Sequence, residues 1–388
     1  MIWKFFIILC LFISNSYAAS IVKGPYIDNL SDSELVIRYV LDSQSLSWMS
    51  WGEFPKCDRY MIPVVPRVNN SVNVYGIRAG KKYCYNIYLP LSVSTNSYIS
   101  SSSTFTSLYD ESISSFSFIT FSNTGFNSDE ENVELSSSVA SLKNDYMFII
   151  HTGNISSSGM IDDTDKKFFI PFSNIINSKP IFISPGPSEY GNERNKVKGY
   201  KIFQENYAQY HGFAKNGLSP HYYYVDISKA RFIFLDNNSF NDIAAAPIID
   251  VGSRQYKWLE GVLQYSKDKK WIFVVLNYPL YPSASASNDV KALEELFIKY
   301  KVDIVFQNGS SYYLRTKPLR YESYDDKGII YITLGGSENY LTPAYDQENI
   351  DTKIGEKVFL YTNVNGDKID ITAYDYSLNQ IDRFVFNK

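Results

Sequence analysis

The sequence predicts two folded parts in series, an antiparallel β-sandwich followed by a layered α/β domain. From Ile21 to about Leu108, short alternating apolar runs are separated by turn residues, the pattern of half-buried strands. Beyond Asp110 the style changes to brief apolar runs spaced by helical periods, which reads as strands alternating with helices. The chain has 388 residues, with 33 Tyr, 25 Phe and 5 Trp, enough to bury two cores.

The sandwich strands are exemplified by Leu35 to Val40 and Tyr83 to Leu89. The Ser-rich stretch Ser92 to Ser103 and the segment Leu108 to Ser112 read as a last loop, a last strand and a linker, with the boundary near Asp110. The second part takes its strands from Phe116 to Phe121, Tyr146 to His151, Pro180 to Ile183, Arg231 to Asp236, Trp271 to Leu276, Val302 to Phe306 and Ile329 to Leu334. Lys357 to Val364 and Ile369 to Tyr374 finish the domain. Val133, Leu135, Val139 and Leu142 line one helix behind a Ser128 cap. Val290, Leu293, Leu296 and Phe297 line another between Asp289 and Tyr300.

The first eighteen residues predict a cleaved secretory signal. Lys4 precedes the apolar run Phe5 to Ile13, and Ser16 and Ala18 occupy the −3 and −1 positions. No later stretch offers an apolar membrane span, so the mature chain is expected to be secreted, periplasmic or on the cell surface. Cys10 leaves with the signal and lacks a small residue before it for lipid attachment. Cys57 and Cys84 then remain, either as a disulfide or as two separate buried thiols. Lys plus Arg number 37 against 41 Asp plus Glu, with no long run of either sign, so no nucleic-acid footprint is present.

In α/β folds chemistry sits on the loops just beyond strand ends. Those loops read Phe-Ser-Asn-Thr-Gly (121–125), His-Thr-Gly-Asn-Ile (151–155), Pro-Gly-Pro-Ser-Glu-Tyr-Gly (185–191), Leu-Asn-Tyr-Pro (276–279) and a run from Gln307 through Asn308, Gly309, Ser310, Ser311 and Tyr312 to Leu319. Their order and spacing resemble the calcineurin-like metallophosphoesterases, specifically the purple acid phosphatase branch, whose motifs are GDxG, GDxxY, GNH followed by Asp or Glu, VxxH and GHxH. The first part resembles that branch's fibronectin type III-like domain through Lys23-Gly24-Pro25-Tyr26 and the stretch Ile77 to Tyr85. The resemblance implies a sandwich over 21–108 and a four-layer αββα phosphoesterase-like domain over 113–388.

That family's chemistry uses two metal ions, such as Fe with Zn or Mn, held by carboxylates and imidazoles. Here every inherited ligand position is changed. Asn123 stands for the Asp of the first motif; Asn154 and Ser157 stand for the bridging Asp and the Tyr of the second. Pro187 takes the Asn position of the third and Ser188 that of its substrate-facing His. Asn277 ends the fourth motif, and Gly309 and Ser311 replace both His of the fifth. The three histidines, His151, His211 and His221, fall at none of these positions; structural and packing roles are expected for them. No metal or other cofactor is therefore expected, and the chain reads as a pseudophosphatase.

The expected role is binding. Asn123, Asn154, Ser188, Asn277, Asn308, Ser310 and Ser311 would line a neutral pocket, with Glu189 nearby and Tyr190, Tyr278 and Tyr312 at its rim. Such a lining suits a neutral polar ligand such as a sugar, and the high Tyr content suits contact with another protein. The alternative is an enzyme: a rearranged hydrolase using Glu189, Asp226, Asp236 or His151, or a residual metal-dependent phosphatase. Glu189 and Asp236 also have plain structural readings, a loop cap and a strand-end hydrogen bond. No nucleophile elbow, Walker loop or HExxH motif occurs.

Overall fold

The structure, a computed structural model, describes residues 19–28, 33–90, 97–208, 220–281, 288–308, 313–321, 323–335 and 347–388. The amino-terminal part holds β1 (Ile21–Asp28), β2 (Glu34–Glu53), β3 (Tyr60–Tyr75), β4 (Lys82–Pro90) and β5 (Ser97–Thr106). All pairings are antiparallel. The strands are joined in one hydrogen-bonded sheet, β1-β2-β4-β5 with β3 branching from β2, rather than in two separate sheets. The long strands β2 and β3 make this possible, because their register breaks between Val40 and Ser47. The amino-terminal half of β2 pairs with β1, and its carboxy-terminal half pairs with β4 on the same side. A bulged strand bends and twists, so one ladder serves both halves.

A disulfide joins Cys57 to Cys84, with Cα atoms 5.1 Å apart. Gly52 pairs with Cys84, and a Cβ at Gly52 would stand 2.0 Å from the Lys56 carbonyl oxygen. The loop after β2 therefore lies directly on the strand, which only glycine permits here. Closing a 27-residue separation restricts the unfolded chain by about 3 kcal/mol.

The second part holds β6 (Ser115–Phe121), β7 (Phe148–His151), β8 (Ile181–Ile183), β9 (Tyr223–Ile227), β10 (Ala230–Phe234), β11 (Trp271–Val275), β12 (Ile304–Asn308), β13 (Tyr313–Thr316), the short pair β14 (Leu319–Arg320) and β15 (Ser323–Tyr324), β16 (Ile330–Leu334), β17 (Ile350–Ile354), β18 (Val358–Asn365), β19 (Lys368–Asp375) and β20 (Gln380–Asn387). One sheet runs β20-β19-β18-β6-β7-β8 and the other β17-β13-β16-β12-β11-β10-β9. The strands β6, β7 and β8 are mutually parallel, as are β10, β11, β12 and β16. Six of these strands, β9, β13, β14, β15, β17 and β20, are not among those the sequence predicts.

The sheets pack face to face on phenyl rings. Phe118 lies 5.0 Å from Phe148 on its own sheet and 5.2, 5.9 and 6.0 Å from Phe232, Phe273 and Phe306 on the other. Alternation sends the neighbouring residues outward. Ile119, Phe121 and Ile149 meet Leu135 and Val139 of the helix Asp129–Ser141. Ile233, Val274 and Val305 meet Leu259, Leu263, Leu293 and Phe297 of the helices Arg254–Gln264 and Asn288–Lys299. The result is four layers, αββα. The first of these helices begins where the sequence indicated: Ser128 Oγ accepts the Glu131 N–H at 3.2 Å and Glu131 accepts the Ser128 N–H at 2.7 Å, a reciprocal cap.

The two parts meet along β1. The Lys23 ammonium, buried, pairs with Asp165 and lies 3.8 Å from the centre of the Phe169 ring. Tyr85 donates its hydroxyl to the Asn177 carbonyl at 2.7 Å.

Phe118 touches both sheets, so Phe118→Ala is expected to cost about 3–5 kcal/mol, measured as a lowered urea midpoint at unchanged slope. A loss below about 1 kcal/mol would contradict this account of the core.

Candidate active site

Parallel strands place the loops that follow them at one end of the sheets, and the two sheets bring the loop after β6 against the end of β12. Asn123 and Asn308 exchange hydrogen bonds through their side-chain amides, Nδ2 of each donating to Oδ1 of the other at 2.7 and 2.6 Å. Asn154 Nδ2 donates to the same Asn123 oxygen at 3.0 Å. Asn154 Oδ1 accepts the Ser188 backbone N–H at 3.3 Å. Asn277 Nδ2 donates to the Thr152 carbonyl at 2.8 Å, and the Asn308 N–H bonds the Asn277 carbonyl at 3.1 Å. These five side-chain positions are at most 2% exposed.

The backbone explains the close approach. Asn123 and Asn154 have φ of 58° and 62°, in the left-handed region that Asn tolerates better than most residues. A Cβ at Gly186 would fall 2.3 Å from Asn154 Oδ1, and one at Gly153 2.6 Å from Asn277 Nδ2. Here glycine is needed so that backbone can lie against the amides.

Glu189 organises the loops behind this cluster. Its carboxylate accepts the N–H groups of Asn154 at 3.0 Å and Ile155 at 2.9 Å, and also that of Gly186. Burial pushes its pKa up to about 7 against these bonds, which favour the ionised form. It is a loop cap. His151 is likewise structural: its Nδ1 accepts the Gly153 N–H at 3.0 Å, leaving Nε2 to donate to Thr124 Oγ1 at 3.1 Å. Burial pushes its pKa down to about 3, so the ring is neutral at physiological pH.

Other residues depart from expectation. Tyr190, expected at the rim, is fully buried; it stacks on Phe203 at 4.6 Å and donates to Asp236 at 2.5 Å. Asp236 also meets His221 Nδ1 at 2.9 Å and the Asn238 amide at 2.7 Å. Ser157 turns from the cluster and bonds Asp163 through both its N–H and its hydroxyl. Pro187 is buried in the short turn Pro187–Tyr190. Tyr278, half-buried, packs toward Phe240 at 6.0 Å. Asp226 pairs with Arg231 and Lys269, outside the cluster. His211, Gly309, Ser310, Ser311 and Tyr312 lie outside the described residues.

Sequence reasoning missed the loop after β10, where Asn237 bonds the Tyr278 backbone in both directions and Asn238 donates to the Pro185 carbonyl. The rule that residues just beyond strands matter would have found it. It also missed Thr152, whose hydroxyl, like that of Ser188, is buried without a hydrogen-bond partner among the described residues.

The donor set does not fit a pair of metal ions. Such a centre needs anionic and imidazole ligands. The amide oxygens of Asn123, Asn154 and Asn308 instead accept internal hydrogen bonds, and the described residues contain no group of three or more His, Cys, Asp or Glu able to hold a metal.

Residues 128–307 match the family model described as calcineurin-like phosphoesterase. Among characterised proteins, the chain is 29% identical over 137 residues to a probable purple acid phosphatase 20 of Arabidopsis thaliana, covering 33% of this chain and 30% of that relative. It is 27% identical over 162 residues to the Fe(3+)-Zn(2+) purple acid phosphatase 12 of the same plant, covering 37% and 33%. The matched region thus spans about a third of these relatives. The fold is that of a purple acid phosphatase isolated from yellow lupin (Lupinus luteus) seeds, with a TM-score of 0.72 at 14% identity over 96% of this chain and 74% of that one. PhoD aligns with a TM-score of 0.68 at 10% identity over 97% and 91%. Residues 128–307 are thus similar to the calcineurin-like phosphoesterases, with purple acid phosphatases among the relatives, and the fold is the one seen in a purple acid phosphatase.

Two outcomes test the cluster. Asn123→Asp removes an amide donor and places a carboxylate against the Asn308 oxygen in a buried site. It should lower stability by about 2–4 kcal/mol, read by chemical denaturation; a neutral effect would refute the amide pairing. A carboxylate whose pKa is raised on folding makes stability fall as pH rises from its unfolded value, near 4.5, through about 7. Glu189→Gln should therefore flatten the stability profile relative to wild type in this window, by up to about 3 kcal/mol. Parallel profiles of wild type and variant would contradict it.

Proposed function

We propose that this chain is an exported, catalytically inactive metallophosphoesterase homologue that acts by binding rather than by hydrolysis. The organisation that goes with this reading is a signal peptide over 1–18, a fibronectin type III-like sandwich over 21–108 and a degenerate phosphoesterase domain over 113–388. The carrying observation is the hydrogen-bonded amide cluster Asn123-Asn154-Asn308, with Asn277 beside it, in the strand-end loops. A binuclear centre would need charged ligands, and the neutral amides that bond one another here support the absence of such a centre.

Neutral amides remove the mutual repulsion that clustered carboxylates would suffer without metal. Restoration of one carboxylate cannot rebuild such a site, since members of a catalytic unit act together. The disulfide between Cys57 and Cys84 suits an oxidising compartment, which supports export. Among the described residues no helix is long and apolar enough to cross a membrane.

The test is metal analysis of the purified protein beside a generic phosphomonoester assay with added Fe, Zn or Mn. No stoichiometric metal and no turnover are expected, and Asn154→Asp should remain inactive. Metal-dependent hydrolysis in the unmodified protein, abolished in a folded Asn123→Ala/Asn154→Ala variant, would overturn the reading.

A further inference from the structure

A cavity lies at the end of the central strands opposite the amide cluster. Leu334, whose carbonyl accepts the Ser122 hydroxyl beside Asn123, closes β16, whereas Ile330 opens it. Around Ile330 a cavity of about 510 Å³ is lined by Pro318, Tyr324, Phe384, Val385 and Phe386, with Arg315 and Lys317 among its polar groups. That volume is within the usual range for small-molecule sites, and an apolar, aromatic lining with few polar groups is their usual composition.

The cavity is built into the fold. It sits where the outer strands of both sheets come together, β17 and β13 from one and β20 from the other. Arg315 spans them: its Nε donates to Asp382 of β20 at 2.9 Å, its Nη1 pairs with Asp351 of β17, and its Nη2 donates to Thr352 at 3.0 Å. The guanidinium also covers the Phe384 ring at 4.3 Å. Arg315 is therefore charge-compensated and held in place. It sets the shape of the cavity and leaves its floor aromatic.

Charge separates Lys317 from Arg315. Two carboxylates, Asp351 and Asp382, are taken up by Arg315. The Lys317 ammonium donates to the Glu348 backbone carbonyl at 2.8 Å; Asp351 also lines the cavity but is paired with Arg315, and Lys317 forms no ion pair among the described residues. Its remaining donors and positive charge are free for an anion. Tyr324 is 64% and Val385 45% exposed, more apolar surface than a solvated strand pair needs.

We propose that this cavity binds a small amphipathic anion, with a flat apolar body against Tyr324, Pro318 and the Phe384–Phe386 strand and one carboxylate or sulfonate on Lys317. The site is separate from the amide cluster and holds whether or not the chain hydrolyses phosphoesters.

The probe is 8-anilino-1-naphthalenesulfonate, followed by fluorescence on the whole folded protein, with the uncharged N-phenyl-1-naphthylamine beside it. Saturable binding is expected. Lys317→Glu should weaken it by about tenfold, since a cation is exchanged for an anion at the charged end. Tyr324→Asp should weaken both probes, with thermal unfolding unchanged because both side chains reach solvent. Non-saturable fluorescence, equal affinity in wild type and Lys317→Glu, or no loss in Tyr324→Asp would each overturn the proposal.

Discussion

The face-to-face packing of the two sheets is the constraint on which the rest of this molecule depends. Phe118 stacks on Phe148 in one sheet and edges onto Phe232, Phe273 and Phe306 of the other. Edge-to-face pairs of this kind gain energy beyond their buried area, and they fix how one sheet sits over its neighbour. Once that is set, the loop after β6 must lie against the end of β12, and Asn123 must meet Asn308. The site is therefore held by a core that contains none of its residues. This separation allows the chemistry of a strand-end site to change while its geometry stays.

The amide cluster shows how such a change is stabilised. Carboxylates in a fully buried position carry a desolvation cost that metal ions would offset. Amides keep nearly the same shape, and each can both donate and accept. Asn123 uses both capacities at once, toward Asn308 and Asn154. Glu189 keeps a carboxyl nearby only because the N–H groups of Asn154, Ile155 and Gly186 converge on it. Even so, burial raises its pKa to about 7. One carboxyl with a dedicated set of donors is tolerable, whereas a group of them without such donors is not.

Two ends of the same strands thus have opposite character. At the carboxyl end of the parallel strands the loops are polar, neutral and closed on themselves. At the other end, where β13, β17 and β20 meet, Arg315 compensates two carboxylates and leaves an aromatic cavity with Lys317 at its edge. The difference arises because β17 and β20 end their sheets. A cavity needs such a boundary, since the interior of a packed sheet pair has no room for one.

Much was legible from local pattern, because alternation and strand-end loops are local properties. The seven central strands, the capped helix behind Ser128 and the order of the strand-end motifs all follow from runs of a few residues, and the neutral amides at Asn123, Asn154 and Asn277 are visible as residue identity. Other features required the assembled chain. The burial of Tyr190 comes from Phe203, His221 and Asp236, which are brought together from distant segments. The turn of Ser157 toward Asp163 is set by a helix start that no motif marks. β20, reading Gln-Ile-Asp-Arg-Phe-Val-Phe-Asn, has only a weak apolar face of its own and is a strand because β19 offers it an edge. The sequence by itself determined that these strand-end loops carry neutral amides. Tertiary structure alone decided that the amides would close on one another, because a hydrogen bond between Asn123 and Asn308, 185 residues apart, depends on how two sheets pack and not on any local preference.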